Sequence, residues 1–307
     1  MVLPSKTPRL RVALAVVSLN LVACGPAPES PGPSSTDLGH PLWWTTTAGV
    51  LPPEGAVTVG GVALPPGRPR SPDPEIVEHP EPLFWMTDEI IGNSGDLHVQ
   101  LIEAFPETGL WPVVMQPFFD GEGRPWLSGE FGGLPDGDPI DAESFLAEVW
   151  NSEAQQASED GYLDSLQPFG LEFPGLAPPS DQKMDPECFS GLKTSREGFL
   201  GLVPVTRPAE VPEAIGYLGA ANYGIPGPAF TAVLSSWEDR FGAVLVAMDF
   251  STMVLLVCRP VTSTETALLI AAETLAFDPD AVWQGTGSIP ELAQTIHWSK
   301  YWGFWWD

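Results

Sequence analysis

The chain has 307 residues, enough for one large or two small domains with a real core. Forty acidic residues against 13 basic ones give a net charge of −27, yet charged residues make up only 17% of the chain, so the imbalance comes from scarce Lys and Arg rather than from an acid-coated surface. That balance argues against nucleic acid as a partner, because phosphates need clustered cations, and against electrostatic docking on anionic lipid.

Residues 1–24 read MVLPSKTPRLRVALAVVSLNLVAC. Lys6, Arg9 and Arg11 precede an apolar stretch from Val12 to Ala23 that only Ser18 and Asn20 interrupt. About a dozen residues are too few to span a ~30 Å hydrocarbon core, so the stretch is expected to be a signal-peptide core rather than a membrane span. Its end, Leu21-Val22-Ala23-Cys24, resembles the lipobox of bacterial lipoproteins, in which the cysteine thiol is acylated and the chain is cut in front of it. The resemblance implies a signal peptide over 1–23, a lipidated Cys24, and a mature chain of 40 acidic and 10 basic residues, net −30. Two or more acyl chains anchor stably where one does not. The alternatives are a plain secretory signal, or a cytoplasmic protein behind a miscalled start with Cys24 there by chance. Residues 24–48 follow as a tether, because GPAPESPGPSSTDLGHP (25–41) is rich in Pro, Ser and Gly and nearly free of large apolar side chains.

A folded region is expected over 49–307. Val57–Val59, Gly60-Gly61 and Val62–Leu64 spell a hairpin with a two-glycine turn. A proline-rich crossing follows, then a strand at Leu83–Met86, a helix over 96–105, and a strand at Leu110–Gln116 after the turn at Glu107-Thr108-Gly109. Residues 120–140 spell loop. Asp141 caps a helix to about Gln156 with Phe145, Leu146, Val149 and Trp150 on one face. Residues 160–197 show weak periodicity and are expected to be an irregular insertion.

The last third, 201–307, is the best patterned. It predicts a strand at Leu202–Thr206, a helix at Ala209–Leu218 stopped by Gly219, and a helix at Ala229–Phe241 with Val233, Leu234, Trp237 and Phe241 inward and Gly242 as its stop. The apolar runs Ala243–Met248 and Met253–Cys258 form a hairpin buried on both faces. Thr262 and Glu265 read as a capping box for a helix to about Phe277, Asp278-Pro279 opens a further turn, and Ile289–Ile296 is helical. The aromatic heptapeptide Tyr301-Trp-Gly-Phe-Trp-Trp-Asp307 closes the chain as a strand. The order β-α-α-β-β-α-α-β gives an α+β class: two layers, an antiparallel or mixed sheet with helices packed on it.

The stretches LPPGRPRSPDPE, EPLFWMTDE, AFPETGLWPVV, LVPVTRPAEVPEAIGYLGAANY, LSSWEDRFGAVLV, LAFDPDAVWQG and WGFWWD resemble the bacterial family catalogued as domain of unknown function 4253. The resemblance runs from about Gly49 to Asp307 and is strongest from Gly201 onward. It implies an α+β domain, and it supplies no activity, cofactor or catalytic residue to carry over.

The residues themselves offer a few candidate chemistries. Glu238 or Asp239 in Trp237-Glu-Asp-Arg240 would serve as an acid-base carboxylate, against the simpler reading of helix-surface charges with Arg240 at the favourable end of the dipole. Asp278-Pro279-Asp280 would hold a hard cation, although an N-cap Asp with Pro at the first helical position explains the same residues. Asp136, Asp138 and Asp141 lack the spacing and terminal Glu of a calcium hand. His40, His79, His98 and His297 are scattered singly, and GxSxG, Walker and GxGxxG motifs do not occur, so no metal and no cofactor is expected. Cys188 and Cys258 would pair outside the cell, but Cys258 ends an apolar strand and reads more simply as core.

At the C-terminus, period two puts Trp302, Phe304 and Trp306 on one face and Tyr301, Gly303, Trp305 and Asp307 on the other. Tyr301 and Trp305 would then flank a gap at Gly303 able to take a flat ring or sugar. The favoured expectation is that both faces are core and a neighbouring side chain fills that gap. The candidate ligand residues are therefore Tyr301, Trp305, Asp307, Glu238 and Asp239. The functional expectation is a membrane-tethered extracytoplasmic binding or interaction module for a protein or carbohydrate ligand. Its rivals are a hydrolase acting on an envelope polymer and an immunity-type toxin-binding protein, and a pocket joining two carboxylates to Tyr301 or Trp305 would favour the hydrolase.

Overall fold

A computed structural model describes residues 45–78, 80–92, 94–117, 123–133, 137–185, 187–189, 192 and 197–307, all within one compact unit. The lipobox, the tether up to Trp44, His79 and Asp136 lie outside the described residues.

The strands are β1 (Gly55–Val59), β2 (Val62–Arg70), β3 (Phe84–Thr87), β4 (Leu110–Met115), β5 (Phe199–Pro204), β6 (Ala243–Met248), β7 (Thr252–Val257) and β8 (Tyr301–Trp305). They build one eight-stranded sheet in the order β1-β2-β3-β5-β4-β6-β7-β8. Every pairing is antiparallel except β4 with β6, so the sheet is mixed, as the α+β class allows. The first turn forms as its sequence requires: Val59 pairs with Val62, and Gly60 and Gly61 take φ of 54° and 81°, left-handed values that side chains avoid.

The proline-rich crossing is a correction, because β2 continues through Pro65, Pro66 and Pro69 to Arg70. β1 begins only at Gly55, opposite Gly67, so Pro69 lies beyond that end of β1 and its missing N–H faces no strand on that side.

The helices are α1 (Gly95–Thr108), α2 (Ala142–Asp160), α3 (Val211–Ala214), α4 (Gly227–Phe241), α5 (Thr264–Phe277) and α6 (Ile289–Ile296). α1 outruns its expected end, carrying Pro106 within it until Gly109 stops it in the left-handed region. Asp141 caps α2 by accepting from the Ser144 N–H at 2.9 Å, and Gly242 ends α4. Two local expectations fail. The helix expected at Ala209–Leu218 is a 3-10 turn at Pro208–Glu210 followed by the single turn α3, since Gly216 turns the backbone to φ 61°. The cap of α5 is Ser263, one residue later than Thr262, accepting from the Thr266 N–H at 3.3 Å.

Alternation along β3 divides the core. Phe84 and Met86 enter the main core, whereas Trp85 joins a smaller one with Val59, Val62, Leu64, Leu101 of α1, Leu200 and Leu202. The main core holds α4, α5 and the buried side of α2, and one ion pair stitches it. Arg240 of α4 clasps Glu273 of α5 with contacts of 2.8 and 2.6 Å. The remaining valences of Glu273 accept from Trp237 Nε1 at 2.7 Å and the Ala177 N–H at 2.7 Å. A fully buried carboxylate with every oxygen satisfied is tolerable where a lone one is not. No helix among the described residues is long and apolar enough to cross a membrane.

Candidate functional site

The closing heptapeptide is the outermost strand, with Thr252 opposite Trp305 and Leu256 opposite Tyr301. The alternation is as expected: Trp302, Phe304 and Trp306 are buried. Trp237 of α4 stacks on Phe304 with centroids 5.1 Å apart, and Trp306 meets Phe277 of α5 edge-on at 5.4 Å. The Trp306 indole also donates to the Phe277 carbonyl at 3.0 Å, so its polar end is satisfied inside the core.

The opposite face corrects the favoured expectation. Tyr301 and Trp305 are half-buried, Gly303 is exposed, and a Cβ built on Gly303 meets no atom within 4 Å. No side chain fills the gap. Val254 of β7, opposite Gly303, is itself only partly covered and floors it.

The outer edge of β8 is blunted by the Asp278-Pro279-Asp280 turn. Asp278 Oδ2 accepts from the Trp305 N–H at 2.8 Å and Asp280 Oδ2 from the Asp307 N–H at 2.9 Å, while the intervening Trp306 N–H turns inward to the Ser251 carbonyl at 3.0 Å. Two carboxylates thus occupy donors that an added strand would use. Asp278 Oδ1 also accepts from the Ala281 N–H at 3.2 Å, the capping role its sequence predicts. Burial pushes the Asp278 carboxyl up to about 8 despite these donors. Around it, burial raises Glu153, to which Trp283 Nε1 donates at 2.6 Å, and raises the Tyr223 phenol, which also bonds Asp280. Among the described residues no group of three His, Cys, Asp or Glu is placed to hold a metal ion.

Glu238 is not the surface charge expected of it. It is 1% exposed, accepts from the Ala209 N–H at 3.2 Å and lies 3.4 Å from Arg207 Nε, whose Nη2 bonds Asp239 at 2.6 Å. Burial pushes Glu238 up to about 8, with Arg207 pulling the other way. Glu238 and Asp239 therefore tie the Pro208–Glu210 turn to α4. α4 packs on the Trp302 and Phe304 side of β8, whereas Tyr301 and Trp305 face the other side, so these carboxylates and rings do not form one constellation.

The remaining sequence candidates are placed simply. His98 is fully buried, donates through Nε2 to the Pro112 carbonyl at 3.0 Å and is held neutral, its pKa lowered to about 4 by burial. Asp141 is a helix cap and Asp138 is exposed. Cys188 and Cys258 form a disulfide with Cα atoms 5.4 Å apart, so Cys258 is both core and cross-link. That bond fixes the irregular 160–197 region to the end of β7, beside the Asp185 N–H to Cys258 carbonyl bond at 3.1 Å.

Sequence reasoning missed Glu273, a lone acid inside the apolar run of α5, and Trp298. Trp298 is 65% exposed and is the one described non-glycine residue with positive φ, at 61°. Its neighbour His297, with ring centroids 5.9 Å apart, lines a groove of about 460 Å³ beside α5 and α6. A tryptophan before the aromatic heptapeptide was visible in the sequence, but neither its exposure nor its backbone conformation was.

The fold and these sites define an α+β domain with a mixed sheet and an aromatic C-terminal strand. Residues 199–307 match the family model described as Domain of unknown function (DUF4253). The matched segment carries β5 to β8 and α3 to α6, and of the stretches that resemble the family the three before residue 199 (LPPGRPRSPDPE, EPLFWMTDE and AFPETGLWPVV) lie outside it. No curated protein and no solved structure matches the chain.

Proposed function

We propose that the protein is a lipid-anchored, extracytoplasmic binding module. The observation that carries the reading is the Cys188–Cys258 disulfide, which closes 70 residues of chain between an irregular segment and the sheet. Structural disulfides belong to compartments where thiols are oxidised, and the Leu21–Cys24 sequence points to the same side of the membrane. Binding is favoured over catalysis by how the carboxylates are used. Asp278 and Asp280 hold the end of β8, Glu273 neutralises Arg240, and Glu238 and Asp239 bind Arg207. The hydrolase reading needs two available carboxylates beside Tyr301 or Trp305; the sheet separates Glu238 and Asp239 from those rings, and Asp278 and Asp280, which do lie at the end of β8, are engaged by the Trp305 and Asp307 N–H groups.

Alkylating free thiols in intact cells before lysis, followed by peptide mass spectrometry, tests the reading. It expects a linked Cys188–Cys258 peptide; alkylated Cys188 and Cys258 in the native protein would overturn it.

A further inference from the structure

We propose that the groove beside α5 and α6, with Trp298 at its margin, binds a neutral saccharide. This rests on the binding-module reading and names its ligand class. The groove holds about 460 Å³, and among its lining residues Leu268 and Ala293 offer an apolar floor while Gln167, Thr264 and Gln294 offer uncharged hydrogen-bonding groups beside the His297 imidazole. His297 Nε2 is fixed by the Thr262 carbonyl at 2.8 Å, which sets the ring plane. On a chain of net charge −27, the eight residues lining this groove include no Asp, Glu, Lys or Arg. Charge therefore favours neither a cationic nor an anionic occupant. Amides, a hydroxyl and an imidazole around an apolar floor match a molecule whose own surface alternates hydroxyl groups with C–H faces.

Trp298 supplies the second, independent observation. The residue is 65% exposed, its ring lies 5.9 Å from that of His297, and its backbone sits at φ 61°, where a bulky residue is strained. Glycine would occupy that position without strain, and the exposed ring gains little from burial. A largely exposed aromatic ring at a disfavoured backbone position is a candidate for contact with a ligand. The exposed indole face is suited to stacking on the C–H face of a pyranose ring, with the groove's amides meeting the hydroxyl groups.

The test is isothermal titration calorimetry of the purified full chain with a β-1,4-linked N-acetylglucosamine pentasaccharide and, separately, with a proline-rich peptide. Wild type, Trp298→Gly and Gln294→Ala are compared, with thermal unfolding of each. Expected are saccharide binding by wild type, weakening of about tenfold or more in Trp298→Gly, and an unfolding temperature for Trp298→Gly equal to or a few degrees above wild type. Gln294→Ala, exposed on α6, should weaken binding without changing stability. Saccharide binding that survives Trp298→Gly, no saccharide binding, or binding of the peptide alone would each overturn the inference. Its failure leaves the location reading standing, because thiol state and lipidation at Cys24 are read without any ligand.

Discussion

Removing the Cys188–Cys258 bond is the most quantitative perturbation the structure offers. The two cysteines are 70 residues apart in sequence, and closing a loop of that length lowers the entropy of the unfolded chain by an amount equivalent to about 4 kcal/mol at 25 °C. Cys188 is 5% exposed and Cys258 fully buried, so Cys188→Ala is the cleaner variant: it removes the cross-link while leaving the β7 packing of Cys258 in place. Urea unfolding followed by tryptophan fluorescence, at matched protein concentration without reductant, should show the variant less stable by about 3 to 5 kcal/mol. Wild type in reductant should fall towards the same value. A loss below about 1 kcal/mol would refute the reasoning, because removing a native disulfide that closes a loop of this length is expected to cost about 2 to 5 kcal/mol.

Other outcomes follow from the same contacts. Trp306→Ala should destabilise by about 3 to 5 kcal/mol in equilibrium unfolding, since it empties a buried site and orphans the Phe277 carbonyl; Gly303→Ala, with open space at its Cβ, should change stability by less than about 0.5 kcal/mol. Glu238, raised to about 8 in the fold against an ordinary value of 4.5, binds a proton more tightly folded than unfolded. Its contribution is therefore full below about pH 4.5 and lost as pH rises towards 8. Unfolding free energy measured from pH 5 to 8.5 should fall, and Glu238→Gln should flatten that slope; an unchanged slope contradicts the raised pKa. A fragment of residues 199–307 should show no cooperative unfolding transition by circular dichroism, because β5 and β6 both pair with β4 (Leu110–Met115), which the fragment lacks. A cooperative transition would show that the matched segment folds without it.

How much of this was legible depended on whether the signal was local. The Gly60-Gly61 hairpin, the Asp141 cap, the Gly242 stop and the period-two burial of Trp302, Phe304 and Trp306 are set by residues a few positions apart, and each could be seen in sequence. β2 was mistaken for a crossing because prolines usually interrupt strands, and only the start of β1 at Gly55 makes Pro69 acceptable. The Ala209–Leu218 helix failed where Gly216 was needed in the left-handed region. Glu238 looked like a surface charge because no local pattern reveals that Arg207, 31 residues earlier, lies over it. Likewise the open gap at Gly303 and the strained, exposed Trp298 are consequences of what does not pack against them, and sequence periodicity records only which side a residue faces. The Cys188–Cys258 pairing, across 70 residues, needed the three-dimensional fold.

The central claim, a protein tethered outside the cytoplasm by its own N-terminal cysteine, is tested most directly by metabolic labelling with a radioactive fatty acid in cells making wild type or Cys24→Ala. The account predicts label on the wild-type chain and none on Cys24→Ala, which should leave the membrane fraction. Equal labelling of the two, or no label on either, would contradict it.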